Sequence, residues 1–478
     1  MSNSLVRRWL SNSVFNIAGG ISAALFNLLI PAIISRHLQN DEFAAWSLAL
    51  QIVTYINLLG IGLQTATARE IAQASENGNQ IRMQNIVQAA QSIARFSTIG
   101  GLIFVLILVV AYPLIFPDIP EAIVPVFRLA LLLIGISTAI QLLALVPMGV
   151  FQGLHRNNIF VIVQIFVRLI TILSLWFSTK LDFQLLGFSI IFSASSIILY
   201  PAMKVVSYKL LPWHKKIRSI DKKVRRELLI YCSTLSVWSI SMLLVNSVGI
   251  VMIGRVAYQM SGAYSIAMSA ASILAGLLGA IFSPLLTTAA SMHASLEQRE
   301  KLPNLLLRST FICGLVLHFL FFLIYLCHRQ IISIWVGDSY IETVSQPLLI
   351  LVGSHALRNL ISPYAMMLLA TGLQKMALMS GLLEGLGNLV ATIFLGLEFG
   401  IVGIACGTLF GALVGFLIAL IKNTRNTPEL TPKPLLFIVI GFLMPVIFVI
   451  PFYLMVIDLS FIQIIEGFDF SGFFNGLV

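Results

Sequence analysis

Residues 96–116, FSTIGGLIFVLILVVAYPLIF, hold 21 consecutive positions without a charged side chain. A helix of about 20 apolar residues crosses a bilayer core of roughly 30 Å. Runs of this kind recur from one end of the chain to the other. Spans are expected near 12–35, 43–67, 86–116, 121–150, 158–178 and 184–207. A second group is expected near 229–253, 262–290, 309–328, 344–371, 376–396 and 400–421, and a thirteenth at 434–457.

The composition agrees. The 478 residues are 58% hydrophobic and only 10% charged, whereas soluble domains run near half apolar and about a quarter charged. A membrane β-barrel would alternate apolar and polar residues in segments of about ten, and these runs do not. Arg7 and Arg8 precede the first run as in a signal peptide. That run continues to Ser35, too far for a signal segment, and reads as a span. Cys232, Cys313, Cys327 and Cys406 lie in or beside apolar runs without metal-ligand spacing, and are expected to be buried thiols.

The basic residues orient the chain. With the N-terminus in the cytoplasm, 21 of the 29 lysines and arginines fall inside and four outside (Arg36, Lys180, Arg255, Arg329). The positive-inside rule then sets that orientation. Segment 208–228, YKLLPWHKKIRSIDKKVRREL, is the one strongly basic loop. Its Ile217, Ile220, Val224 and Leu228 recur at helical spacing, the pattern of an amphipathic helix on anionic membrane lipids. No other loop adds a basic surface, which argues against nucleic acid.

That loop divides two similar halves. Ile34-Ser35-Arg36 is echoed by Ile253-Gly254-Arg255, Ala45-Trp46-Ser47-Leu48-Ala49 by Ala263-Tyr264-Ser265-Ile266-Ala267, and Gln152-Gly153-Leu154-His155-Arg156 by Thr371-Gly372-Leu373-Gln374-Lys375. These pairs stand about 219 residues apart at equivalent topological places, the sign of a duplication of six spans with a substrate site between the halves. The expected fold is an all-α polytopic membrane protein. Two pseudo-symmetric six-helix bundles, 1–207 and 229–421, surround a central cavity. The basic linker 208–228 joins them, and 422–478 supplies an extra span and an acidic tail.

The remaining four arginines, Arg95, Arg128, Arg168 and Arg358, lie within spans, with Glu384 the one carboxylate at comparable depth. Each central arginine costs about 2.5–3.5 kcal/mol on insertion scales, so a positive cavity for an anionic substrate is the natural inference. Polar stripes test which residues face it. Gln88, Gln91, Ser92 and Arg95 share one face, as do Gln164, Arg168 and Thr171. Ser354, His355, Arg358, Asn359 and Ser362 form another, with thinner rows at Asn16–Asn27 and at Ser239 and Asn246. Arg128 has no stripe and reads as an interfacial anchor. Arg95 and Arg168 have no deep acid in their own half and are the first choices for phosphate, which guanidinium groups grip bidentately. Arg358 has two readings, substrate ligand or ion pair with Glu384. Glu70 reads as a helix-end partner of Arg69, and His318 as a core histidine. Gly403, Gly407, Gly411 and Gly415 make a small-residue packing face, within the chain or between copies. Gly381 and Gly385 flank Glu384. Pro31, Pro147, Pro284 and Pro363 are positions for kinks.

No loop is long enough for a catalytic domain and no phosphate-binding loop motif of an ATPase is present. The stretch LIPAIISRHLQNDEFAAWSLALQIVTYINLLGIGLQTATAREIAQ, however, resembles the opening of bacterial polysaccharide flippases. These belong to the multidrug/oligosaccharidyl-lipid/polysaccharide exporter superfamily. Ser35-Arg36-x-Leu38, Asp41-Glu42-Phe43, Gly60-x-Gly62-Leu63 and Ala68-Arg69-Glu70 carry the likeness; Ala44 replaces the glycine that often follows Glu-Phe. The resemblance implies an inner-membrane flippase, not an enzyme. It would move an undecaprenyl-diphosphate-linked oligosaccharide such as an O-antigen unit to the periplasmic leaflet, by alternating access, with glycan polymerase machinery as a partner. The expected substrate ligands are Arg95, Arg168, Arg358, His355, Asn359, Gln91, Gln164, Asn27 and Asn246. No cofactor is expected. Glu384 and Glu70 are the positions for coupling to a proton or sodium gradient. The alternatives are a cation-coupled multidrug exporter of the same superfamily and a membrane-embedded glycan polymerase or glycosyltransferase.

Overall fold

The structure, a computed structural model, describes residues 3–181, 183–210, 221–294 and 296–446. All regular elements among them are helical, and eight of the helices are long and apolar enough to cross a membrane. The protein is therefore an all-α polytopic membrane protein. Large apolar side chains such as Val110 and Phe394 stand fully outward, as helices in a hydrocarbon solvent require.

The first half comprises α1 (Asn3–Ser35), α2 (Asn40–Val53), α3 (Leu63–Glu76), α4 (Gln80–Ile115), α5 (Val124–Gln141), α6 (Leu145–Gly153), α7 (Asn157–Ser178), α8 (Leu185–Ile197) and α9 (Leu199–Leu210). The second comprises α10 (Lys222–Val256), α11 (Ser261–Ala294), the short α12 (Leu296–Arg299), α13 (Leu302–Trp335), α14 (Ile341–Asn359), α15 (Ser362–Ala370) and α16 (Gln374–Ile418). Packing repeats in order. α1 meets α7, α2 meets α5 and α5 meets α8; α10 meets α16, α11 meets α14 and α14 meets α16. Between the halves, α1 and α2 meet α11, and α10 meets α2 and α4.

Each predicted span before residue 421 overlaps one or two of these helices, but several are broken. Between α2 and α3 the chain makes a 3-10 turn, Thr54–Gly60, and Gly62 turns into the left-handed region at φ 74° to start α3. Pro147 and Pro363 sit in the first turns of α6 and α15, where a missing N–H leaves no hydrogen bond unmade. They mark restarts. Pro31 lies inside α1.

The last two predicted spans of the second half share α16, which reverses at Gly400 (φ 56°, ψ −134°). The glycine row of the second arm lies on the first. A Cβ would stand 2.5 Å from the Thr392 Cα at Gly407 and 2.6 Å from the Asn388 Cβ at Gly411. The row therefore packs within the chain. Gly415, from this row, lies against Glu384, while Gly385 faces the Ser241 carbonyl on α10. Asn388 fastens the first arm to α10 by donating to the carbonyls of Leu244 (2.9 Å) and Val245 (3.1 Å).

The basic linker is shorter than expected. Asp221 caps α10, its carboxylate accepting from the Lys223 amide at 2.8 Å, so Lys222–Leu228 continue into the span. Val224 and Leu228 are buried in a cluster with Ile71, Met83 and Met203. Their periodicity serves core packing; Ile217 and Ile220 lie outside the described residues. Cys232 and Cys313 are buried, but Cys327 is exposed and Cys406 half-buried. Beyond α16, α17 (Pro434–Ile438) continues through Val439–Leu443, packing beside α13. The expected thirteenth span runs on past residue 446, outside the described residues.

Candidate functional site

The polar cavity lies between the halves and measures about 580 Å³. The first half contributes Asn27 from α1 and Gln51 from α2; the second contributes Asn246, Ser269, His355, Arg358, Asn359, Glu384 and Asn423. Gln51 bridges the halves directly, its amide donating to the Ser247 hydroxyl at 2.7 Å.

Arg358 and His355 share one turn of α14. Arg358 donates through Nε to the Glu384 carboxylate on α16, and the side chains are 15% and 8% exposed. The ion-pair reading of Arg358 is thus realised in the structure. The guanidinium also lies 3.3 Å from His355 Nδ1 through Nη1. Since arginine can only donate, Nδ1 accepts, and the imidazole proton is assigned to Nε2. His355 Nε2 and Arg358 Nη2 are both buried without a hydrogen-bond partner. Leaving a buried donor unmet costs roughly 1–3 kcal/mol. Both residues line the cavity.

Asn359 is committed locally. Its amide donates to the His355 carbonyl at 2.7 Å and its oxygen accepts from Ser362 at 3.1 Å. It thereby braces the turn that carries His355 and Arg358.

Arg95, Arg168, Gln91 and Gln164 are not among the residues lining this cavity. Arg168 Nη1 donates to the Gly19 carbonyl of α1 at 3.1 Å, close to where Gly19 meets Val161. Its position ties α1 to α7. Arg95 and Gln91 line a separate cavity of about 60 Å³ with Lys204, Tyr200 and Tyr208. Lys204 lies over both tyrosine rings, 5.7 and 5.9 Å from their centroids. Arg128 stacks on Tyr112 at 4.9 Å. Glu70 pairs with Arg82 at 3.0 Å rather than with Arg69, which lies over Tyr231. Consecutive helical residues point in different directions and do not face each other. His318 is half-buried, with Nδ1 2.7 Å from the Gly314 carbonyl.

Sequence reasoning passed over Gln51, Ser269, Asn388, Asn423 and Lys204. For Asn388 a signal was available: Glu384, Asn388 and Thr392 recur every four residues on one face. Lys204 had none, because lysine at the end of a span is ordinary.

Residues 9–290 match the family model of polysaccharide biosynthesis proteins. No curated protein matches the chain. Among solved structures, it is similar to an inward-facing multidrug resistance MATE family transporter of the MOP superfamily. That match has 17% identity and TM-score 0.68 and covers 86% of this chain and 99% of the other. The lipid II flippase MurJ in an inward closed conformation matches at 16% and 0.66, covering 94% and 100%. An outward-facing MATE family transporter of the MOP superfamily matches at 16% and 0.53, covering 89% and 96%. At these identities the likeness is one of fold.

Proposed function

Because the chain belongs to the polysaccharide biosynthesis protein family, we propose that it is a flippase for a polyprenyl-diphosphate-linked oligosaccharide. It works by alternating access, from the cytoplasmic to the periplasmic leaflet of a bacterial inner membrane, with its N-terminus in the cytoplasm. The observation that carries this reading is the pair of buried unpartnered donors, Arg358 Nη2 and His355 Nε2, on the wall of the polar cavity. Glu384 holds the guanidinium by Nε and so fixes the direction in which Nη2 is offered. The diphosphate bridges these donors. Asn27, Asn246 and Ser269 take sugar hydroxyls, and the polyprenyl tail stays in lipid. A multidrug exporter of organic cations needs a carboxylate free to meet its substrate; here Arg358 already engages Glu384.

The test is binding of polyprenyl diphosphate, without sugar, to purified protein in detergent. Wild type should bind it at least tenfold more tightly than the matching polyprenol. Arg358→Ala/Glu384→Ala, which removes both charges together, should lose that preference. Retention of the preference by the double variant overturns the assignment.

A further inference from the structure

At the end of the molecule where α1 and α10 finish, two arginines make the same contact in opposite directions. Arg36 immediately follows α1 and donates to the carbonyl of Ile334, the penultimate residue of α13. Arg255 is the penultimate residue of α10 and donates to the carbonyl of Leu114, the penultimate residue of α4, at 3.4 Å. The first bond runs from the first half to the second, and the other returns. Donors and acceptors each stand about 219 residues apart, the repeat offset expected of a duplicated transporter.

The chemistry suits the place. The last four carbonyls of a helix have no partner within it, and they carry the negative end of the helix dipole. A guanidinium from the opposite half satisfies one of them without a buried acid. Shape and further donors complete the seal. Gly254 admits Leu48 and Phe116 of the first half, with a Cβ 2.5 Å from Leu48 Cδ2 if one were present. Gly262 admits Phe43 in the same way. The Tyr258 hydroxyl donates to the Asp41 carbonyl at 2.6 Å. Burial first, and then the charge of Asp41, push the Tyr258 phenol above its ordinary pKa, so it stays a donor.

We propose that Arg36 and Arg255 form a reciprocal latch that holds this end closed, and that releasing both bonds is a required step of the transport cycle. Two symmetry-related latches must be undone together. Either one alone still bridges the halves, so opening is cooperative. The role in transport rests on the alternating-access reading above; the latch itself is tested without any substrate.

Ser35 is 6% exposed at this seal, and its carbonyl lies 3.5 Å from the Tyr340 hydroxyl of the other half. Its Ser35→Cys thiol should react with a soluble maleimide only while the end is open. The background carries Cys327→Ser and Cys406→Ser. Methionine keeps an arginine's apolar stem but cannot donate. Labelling should be about tenfold faster in Arg36→Met/Arg255→Met, the change expected for loss of two exposed charge-assisted hydrogen bonds. It should be severalfold faster in Arg255→Met alone, which leaves the reporter's neighbour intact. Arg36→Lys/Arg255→Lys, which retains donors, should label near the parent rate. A parent-like rate in Arg255→Met, or equal rates in the methionine and lysine pairs, overturns the latch. If the methionine pair does not fold, Arg255→Met decides. If labelling behaves as expected while polyprenyl diphosphate is not bound, the latch stands and the substrate assignment falls.

Discussion

Gly415 lies against the carboxylate of Glu384: a Cβ there would stand 2.9 Å from Oε2 and 3.0 Å from the Glu384 Cβ. The wall behind the ion pair is thus glycine backbone, and it cannot yield far because α16's arms are in contact along their length. Gly415→Ala should destabilise the protein by about 1–3 kcal/mol, the usual range for overpacking. It should also slow transport by displacing the carboxylate that aims Arg358. Gly276→Ala, where a Cβ meets nothing within 4 Å, should be neutral or stabilising by up to about 1 kcal/mol. Thermal unfolding in detergent, run on both variants, checks the contrast.

Arg358 and Glu384 should behave as one unit. Either alanine substitution alone leaves a buried charge unpaired and should cost about 3–5 kcal/mol. The double variant should cost much less than the two together. Equilibrium unfolding of the four proteins gives the coupling energy, and additivity within about 0.5 kcal/mol would show that the residues are independent. The double variant should be stable yet unable to move the lipid-linked glycan. Recovery of transport in it would mean that the pair is only a strut.

Gly400 has φ 56° and ψ −134°, and a Cβ there would meet nothing within 4 Å. Gly400→Ala therefore isolates backbone strain from any clash. A penalty of about 1–3 kcal/mol is expected. Gly372, also at positive φ with open surroundings, provides a second site for the same comparison. An unchanged unfolding midpoint in Gly400→Ala would mean that the turn has an alternative geometry.

Arg168 serves α1. Arg168→Met removes the bond to the Gly19 carbonyl but keeps the stem between the helices. Hydrogen exchange around Gly19 should quicken, while affinity for polyprenyl diphosphate stays within about twofold, since no bond to the ligand is lost. A loss of binding as deep as that of Arg358→Ala/Glu384→Ala would return Arg168 to the phosphate site.

The sequence made the spans, the repeated packing and the four-residue glycine row visible, because each leaves a period or an offset in side chains. The Arg358–Glu384 pair could be anticipated for a similar reason: two opposite charges stood at like depth on successive spans. The partner that Arg168 has in the structure, a backbone carbonyl, has no signature in residue type. For Arg95 a polar stripe shows that a face is not lipid, but does not say which of several polar spaces it meets, here the small cavity with Lys204. Val224 and Leu228 misled because an amphipathic period is the same whether the apolar face lies on a membrane or on a protein core. The break between α2 and α3 interrupts an apolar run without interrupting hydrophobicity, and so is invisible to span reading, whereas Pro147 marks the one between α5 and α6.

The reversal at Gly400 bears on how the protein is made. Glu384, Asn388 and Thr392 form a polar row on the first arm of α16, and the glycines of the second arm pack closely on it. Until that arm meets its neighbours, a carboxylate and an amide face whatever surrounds the nascent helix. Hydrocarbon is a poor host for either. Their partners, Arg358 on α14 and the Leu244 and Val245 carbonyls on α10, belong to earlier helices. The first arm can therefore bury its polar groups as soon as it docks on α10 and α14, and the second arm then closes over it. A chain truncated between Gly400 and Gly411 should insert, whereas one that also carries Arg358→Ala should insert less well.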